Sequence, residues 1–164
     1  MISESKILTS NDRTKILRTS SGVAYAVQKN GVFKGTPNIP TSWAEQDSSN
    51  KGFADSTNYP AVLSVMDSND DIVIAFMDVS DSKNWVWKTQ KFDTATDAYI
   101  GTVDTLMTVD DSVGDSNYLE SGYLDIASND RLHLAYKDNY TSMGSSYTNP
   151  YYYTWIGSTY SFTP

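Results

Sequence analysis

The sequence predicts an all-β fold of antiparallel four-stranded meanders, propeller-like with about three blades, and three observations predict it. The first is an internal repeat. Ser68-Asn69-Asp70-Asp71-Ile72-Val73-Ile74-Ala75-Phe76-Met77-Asp78 returns sixty residues later as Ser128-Asn129-Asp130-Arg131-Leu132-His133-Leu134-Ala135-Tyr136-Lys137-Asp138. A weaker copy, Ser20-Ser21-Gly22-Val23-Ala24-Tyr25-Ala26-Val27-Gln28, lies forty-nine residues before the first of these when Ala26 is set on Ala75. Repeats of this length are supersecondary units that bury their apolar faces on one another. The second observation is periodicity: the longest patterned segments alternate with period two between clusters of Asn, Asp, Gly, Ser and Pro, and helix signals are scarce. The third is composition, 39% apolar and 13% aromatic with twelve Tyr and four Trp, which suits packed strands joined by polar turns and argues against disorder. A β-sandwich of the same strands is the alternative.

One domain, residues 1–164, is expected, with repeats at about 13–58, 59–118 and 119–164. In the first repeat, residues 15–18 and 23–27 form a hairpin and 31–35 a short third strand, whereas 36–58, with Pro37, Pro40 and Trp43, has no assigned order. In the second, residues 61–66 make a strand, 67–71 a tight turn and 72–77 the partner strand. A polar loop at 78–84 then leads into the aromatic and β-branched strand 85–92. After a turn at 93–97, residues 99–107 supply the fourth strand and complete a meander. The third repeat follows the same plan: strand 122–126, turn 127–131, strand 132–137, a long polar loop 138–149 and the strand 150–156. The closing Ser161-Phe162-Thr163-Pro164 reads as the approach to another unit.

Charge narrows the function classes. The formal net charge is -8 with a pI near 4.4, and the twelve basic residues are scattered, which disfavours nucleic-acid backbones and anionic membranes. No apolar run approaches the roughly 20 residues of a spanning helix, so no membrane insertion is expected. The absence of cysteine removes disulfides and thiolate chemistry, and the single His133 rules out a His-rich metal site within one chain. The N-terminal Met1-Ile2-Ser3-Glu4-Ser5-Lys6-Ile7-Leu8 has neither a basic start nor an apolar core and is not read as a signal peptide. The chain is therefore expected to stay in a cytoplasm, to leave as part of a particle, or to be an excised fragment.

The repeated layout is distinctive. Tyr59-Pro60 or Ser121-Gly122-Tyr123 precedes a strand, a Ser-Asn-Asp turn follows, and an apolar strand ends in Asp before an aromatic third strand. Over residues 59–92 and 121–155, and more faintly 20–34, this resembles the sialidase-like β-propellers found in sialidases, secreted lectins and phage tail-fibre and appendage proteins. The resemblance implies a blade fold and leaves function open. Against the enzymes' pattern, Ser48-Ser49-Asn50-Lys51-Gly52-Phe53 is a degenerate version of their Ser-x-Asp-x-Gly-x-Thr-Trp turn. Asn38-Ile39-Pro40 lacks their arginine, and Arg13, Arg18 and Arg131 are too dispersed for a carboxylate clamp. No catalytic residues are assigned.

Two constellations are candidates for binding. Asp67-x-Asn69-x-Asp71 has the alternating oxygen ligands of a calcium loop. It lacks the central Gly and distal Glu, and the third repeat puts Ala127 and Arg131 in the matching places, so turn geometry is the leading reading. Calcium at this turn apart, no cofactor is expected. Glu4, Glu45 and Glu120 form no evident acid-base pair, and His133 matches Val73, a structural position. Aromatics are the more function-like feature, because sugar rings stack on flat apolar surfaces. Tyr151, Tyr153 and Trp155 alternate along one strand, as do Trp85 and Trp87. Core filling between blades is the first reading for these, whereas Tyr140 and Tyr147 sit in the long polar loop, where function collects. The candidate ligand residues are thus Tyr140, Tyr147, Trp85 and Tyr151.

Three blades cannot close a ring, since propellers use about four to eight. A homo-oligomer or neighbouring virion chains are the expected partners. The leading expectation is a non-enzymatic structural and binding module of a virion appendage, at a virion or extracellular particle surface, contacting carbohydrate. The alternatives are a fragment of a secreted sialidase-like glycoside hydrolase and a pure assembly protein without ligand.

Overall fold

A computed structural model of the chain describes residues 14–35, 42–47, 49–53, 62–80, 84–110, 118–127, 132–142, 145–156 and 159–163. Its ordered elements are all strands: β1 Lys15–Arg18, β2 Ala24–Gln28, β3 Gly31–Gly35, β4 Trp43–Gln46, β5 Val62–Met66, β6 Ile72–Asp78, β7 Asn84–Asp93, β8 Ala98–Asp110, β9 Tyr118–Ile126, β10 Leu132–Ser142, β11 Ser145–Ile156 and β12 Thr159–Thr163. They form three four-stranded antiparallel meanders, β1-β2-β3-β4, β5-β6-β7-β8 and β9-β10-β11-β12, each in chain order. The all-β expectation of four-stranded meanders holds.

Strand β6 explains how the meanders stack. Its seven residues are all buried, so it is apolar on both faces, unlike a strand with one wet side. Ile72, Ile74 and Phe76 join one cluster with Leu17, Tyr25, Val27 and Val32 of the first sheet. Val73, Ala75 and Met77 join another with Trp87 of β7 and Leu124, Leu132 and Leu134 of the third sheet. The second sheet is therefore the middle of a stack. Each fully buried side chain of this size contributes about 1.5–3 kcal/mol, and the two clusters draw it from opposite faces of one strand. Between sheets, β1 and β2 lie against β5, and β5 lies against β9.

The structure moves the register of the first repeat by one residue. Closing pairs Arg18↔Ala24 and Met66↔Ile72 bound five-residue turns, so Ala24 corresponds to Ile72 and the spacing is forty-eight, not the forty-nine that matching Ala26 to Ala75 suggested. A one-residue slip exchanges the faces of a strand. With the corrected spacing Leu17, Tyr25 and Val27 correspond to Val65, Val73 and Ala75, and both sets face the next sheet.

Three further expectations change. Residues 138–149 are not a loop: β10 and β11 run on to Ser142 and from Ser145 as a paired ladder. Ser161, Phe162 and Thr163 belong to β12, the fourth strand of the third sheet. The unassigned stretch after the first repeat's third strand contains β4, whose four residues pair with β3.

Candidate functional site

The turn 67–71 is built from its own side chains. The Asp67 N–H donates to the Asp71 carbonyl at 2.9 Å and the Asp70 N–H to the Asp67 carbonyl at 3.2 Å. Asp67 Oδ1 accepts the backbone N–H groups of Asn69 and Asp71, each at 2.9 Å. Asp70 takes a left-handed φ of 65°, a conformation that short polar side chains tolerate. Buried Asp67 turns its second oxygen to Lys91 Nζ at 2.6 Å, and Asp71 Oδ2 meets the same ammonium at 3.3 Å. Desolvation works to lower the Lys91 pKa, but Asp67 and then Asp71 outweigh it and hold it above the ordinary lysine value. Of the three candidate calcium ligands, Asp67 and Asp71 converge, and what they converge on is Lys91. Asn69 stays exposed and contributes its N–H to the turn.

A second polar group spans the seam between the first and second sheets. The Tyr25 hydroxyl donates to Asp97 Oδ1 at 2.7 Å and lies 3.1 Å from the Thr94 carbonyl. Lys34 Nζ meets the other Asp97 oxygen at 2.5 Å. Burial, then the Asp97 and Asp93 carboxylates, push the Tyr25 pKa above its ordinary value, and burial does the same for Tyr99. Close by, Gln90 reads a passing backbone: its Oε1 accepts the Gly52 N–H and its Nε2 donates to the Asn50 carbonyl, both at 2.8 Å. This clamp seats Phe53, 2% exposed, with its ring 5.2 Å from Phe76 and 6.0 Å from Tyr99. Residues 50–53 of the degenerate turn thus serve as a plug in the seam. Sequence reasoning missed Lys91, Asp97 and Gln90, because their partners lie 20 to 72 residues away.

The aromatic candidates fall on registers, and their side chains lie outside the described residues. Trp85 stands opposite Val109 in β7-β8, two positions before Trp87, which is fully buried. Tyr151 stands opposite Tyr136, and Tyr140 opposite Tyr147. Four rungs on from Tyr136↔Tyr151 in the same ladder, Leu132↔Trp155 includes a leucine buried against the second sheet. Tyr140 and Tyr147 are therefore not loop residues but cross-strand partners on an extended hairpin arm. Directly opposed positions stand on one face of a ladder. The arm reaches four residues beyond Asp138, the counterpart of the Asp78 that ends β6.

The remaining candidates do not assemble a reaction centre among the described residues. Arg18 is exposed and donates to the Gly22 carbonyl at 3.2 Å, and Arg13 and Arg131 lie outside the described residues. Glu45 is exposed, 3.9 Å from Lys51, and His133 is half-buried in β10. No group of three or more His, Cys, Asp or Glu gathers around one point, and no helix is long and apolar enough to cross a membrane, among the described residues. Compared with known protein families and with characterised proteins, the chain matches no family model and no relative.

Proposed function

We propose that the chain is a non-enzymatic structural and binding module of a virion appendage, such as a phage tail fibre, whose tyrosine arm touches cell-surface glycans. The observation that carries this reading is the Tyr140↔Tyr147 rung at the end of the β10-β11 ladder. From Asn139 to Thr148 the arm holds Tyr, Ser, Thr, Asn, Met and Gly and no charged residue. This is the composition of adaptable recognition surfaces, in which rigid aromatic rings supply area and small polar groups supply hydrogen bonds. Neutral sugars suit it, because their C–H faces stack on rings and their hydroxyls need uncharged partners.

The stack of meanders supports a β-propeller of the sialidase-like kind. Each sheet contributes its first strand to one line, β1 beside β5 and β5 beside β9, as the inner strands of blades do. Three such units leave a ring incomplete, and further copies of this chain or neighbouring virion chains would complete it. Light scattering tests this part: a mass at a multiple of 18.2 kDa supports self-association, and a strict monomer favours an open stack. For the arm, binding on a glycan array should fall at least tenfold in Tyr147→Ala and in Tyr140→Ala while the fold is kept. Unchanged binding in both variants removes the arm from the reading. Absence of any glycan binding leaves an assembly role, and release of sugar from a fluorogenic glycoside overturns the non-enzymatic assignment.

A further inference from the structure

The closing pairs of the first hairpins set one frame for all three sheets. Arg18↔Ala24, Met66↔Ile72 and Ile126↔Leu132 are equivalent rungs. Arg18, Met66 and Ile126 therefore correspond, as do Leu17, Val65 and Asp125 before them, and Ile16, Ser64 and Leu124 before those. Successive strand residues take opposite faces. Each sheet thus has a leading face, with the Ile16 and Arg18 set, and a trailing face, with the Leu17 set.

Both internal seams bring trailing face and leading face together through an apolar pair. Leu17 and Met66 share the cluster between the first and second sheets, and Val65 and Ile126 share the cluster between the second and third. The two members that these seams do not use stand at the ends of the stack: Arg18 on the leading face of the first sheet and Asp125 on the trailing face of the third. Both are exposed, and their charges are opposite. Arg18 donates to the Gly22 carbonyl at 3.2 Å and Asp125 Oδ1 accepts the Ile126 N–H at 2.9 Å. A guanidinium has five donors and a carboxylate about four acceptor sites, so a bridge can form alongside these local bonds.

Exposure follows the same series. Ile16 is 58% exposed, whereas its equivalents Ser64 and Leu124 are 4% and 3% exposed at the seams. A lone exposed isoleucine means little, but this one occupies a place that both other sheets enclose. Ala24 and Ala26, on β2, are buried. The open part of the leading face is therefore β1, and first strands are where the sheets meet internally, β1 beside β5 and β5 beside β9. On the trailing face of the third sheet, His133 is half-buried where its equivalent Val73 is enclosed.

We propose, on the reading that further copies of this chain complete the ring, that the first sheet's leading face docks on the third sheet's trailing face in a second copy. Arg18 of one copy then meets Asp125 of the other, and Ile16 is covered at the contact. The charged pair gives the contact a direction, because two leading faces would oppose two arginines. Head-to-tail contacts close when the rotation between copies allows it. Two copies bring six sheets, within the range of about four to eight that rings use.

Light scattering of the full chain across a concentration series tests this. The parent should reach about twice 18.2 kDa. Arg18→Glu and Asp125→Arg each oppose like charges and should weaken association about tenfold or more. An equimolar mixture of the two variants restores opposite charges at both contacts and should regain the parent's association, which also shows that both are folded. Should either reversal fail to fold, Arg18→Gln and Asp125→Asn carry the same test with a smaller loss. A parent that associates while no charge variant weakens it overturns this contact and leaves the ring reading standing. So does a mixture no tighter than its components alone. A parent that stays monomeric at every concentration overturns both.

Discussion

A single carbon added at Gly52 would lie 2.3 Å from Val103 Cγ2, well inside contact distance, in a backbone stretch that Gln90 holds in place. The strand and the plug cannot separate without unseating Phe53. Gly52→Ala is expected to cost about 1–3 kcal/mol, in the range of overpacked sites, since the added carbon also meets Gln90 Oε1 at 3.2 Å; thermal unfolding would show it, and an unchanged Tm would mean that the exposed Val103 side chain swings clear. Asp67 makes the complementary case. Its side chain closes the turn with two N–H acceptances and pairs with Lys91, so Asp67→Ala should lose about 2–4 kcal/mol, given 1.5–3 for a bond to a charged group and the cost of orphaned donors. Added calcium should leave the melting temperature of the unaltered chain where it is, because an ammonium already answers these carboxylates. A calcium-dependent rise would restore the metal reading. The alternation of Asp67, Asn69 and Asp71 was visible in the sequence. That Lys91 would stand beside them was not, since it depends on the Val73↔Lys91 register of two strands.

At the scale of elements, β6 divides its work between two seams. Phe76 faces the first sheet and Met77 the third, both fully buried. Phe76→Ala and Met77→Ala should each cost roughly 2–5 kcal/mol through lost contacts and a cavity. They should differ in where the damage shows: hydrogen exchange should rise first in β2 and β3 for the former, and in β9 and β10 for the latter. Identical patterns would mean that the three sheets open as one unit. The strands that sequence reading placed well, β1, β2, β3, β5, β6 and β7, are those in which period two or a continuous apolar run meets a turn of Ser, Asn, Asp and Gly. Those it missed carry no such pattern. Strand β4 is four residues at a sheet edge with only its ends partly buried, and the arm strands 139–142 and 145–148 are small and polar apart from two tyrosines, paired through ladder bonds without apolar alternation. In the first repeat the Ala26–Ala75 match lies one residue away from the register that the faces of the strands require.

For the whole molecule the two raised tyrosines set an upper pH limit. Tyr25 lies on the first sheet and Tyr99 on the second, and both bury their rings at the seam between them, where each contacts Phe92. Burial keeps both phenols neutral beyond the ordinary value of 10.0, and around Tyr25 the carboxylates of Asp97 and Asp93 add to it. A folded-state pKa above the unfolded one means that the folded chain retains a proton which the unfolded chain has released. The associated stability is complete below pH 10 and drains away as the pH rises above it. The slope should be about 1.4 kcal/mol per pH unit for each tyrosine, so the pair should steepen alkaline unfolding noticeably. Followed by phenolate absorbance, two tyrosines should titrate late and together with loss of the first sheet's hydrogen-exchange protection. Tyr25→Phe separates the contributions. It removes the bond to Asp97 and should weaken the chain near neutrality by about 1 kcal/mol, yet it also removes one of the two ionisations, so its stability should fall less steeply above pH 10. A variant that loses stability there as steeply as the parent would show that the Tyr25 proton does not govern the seam.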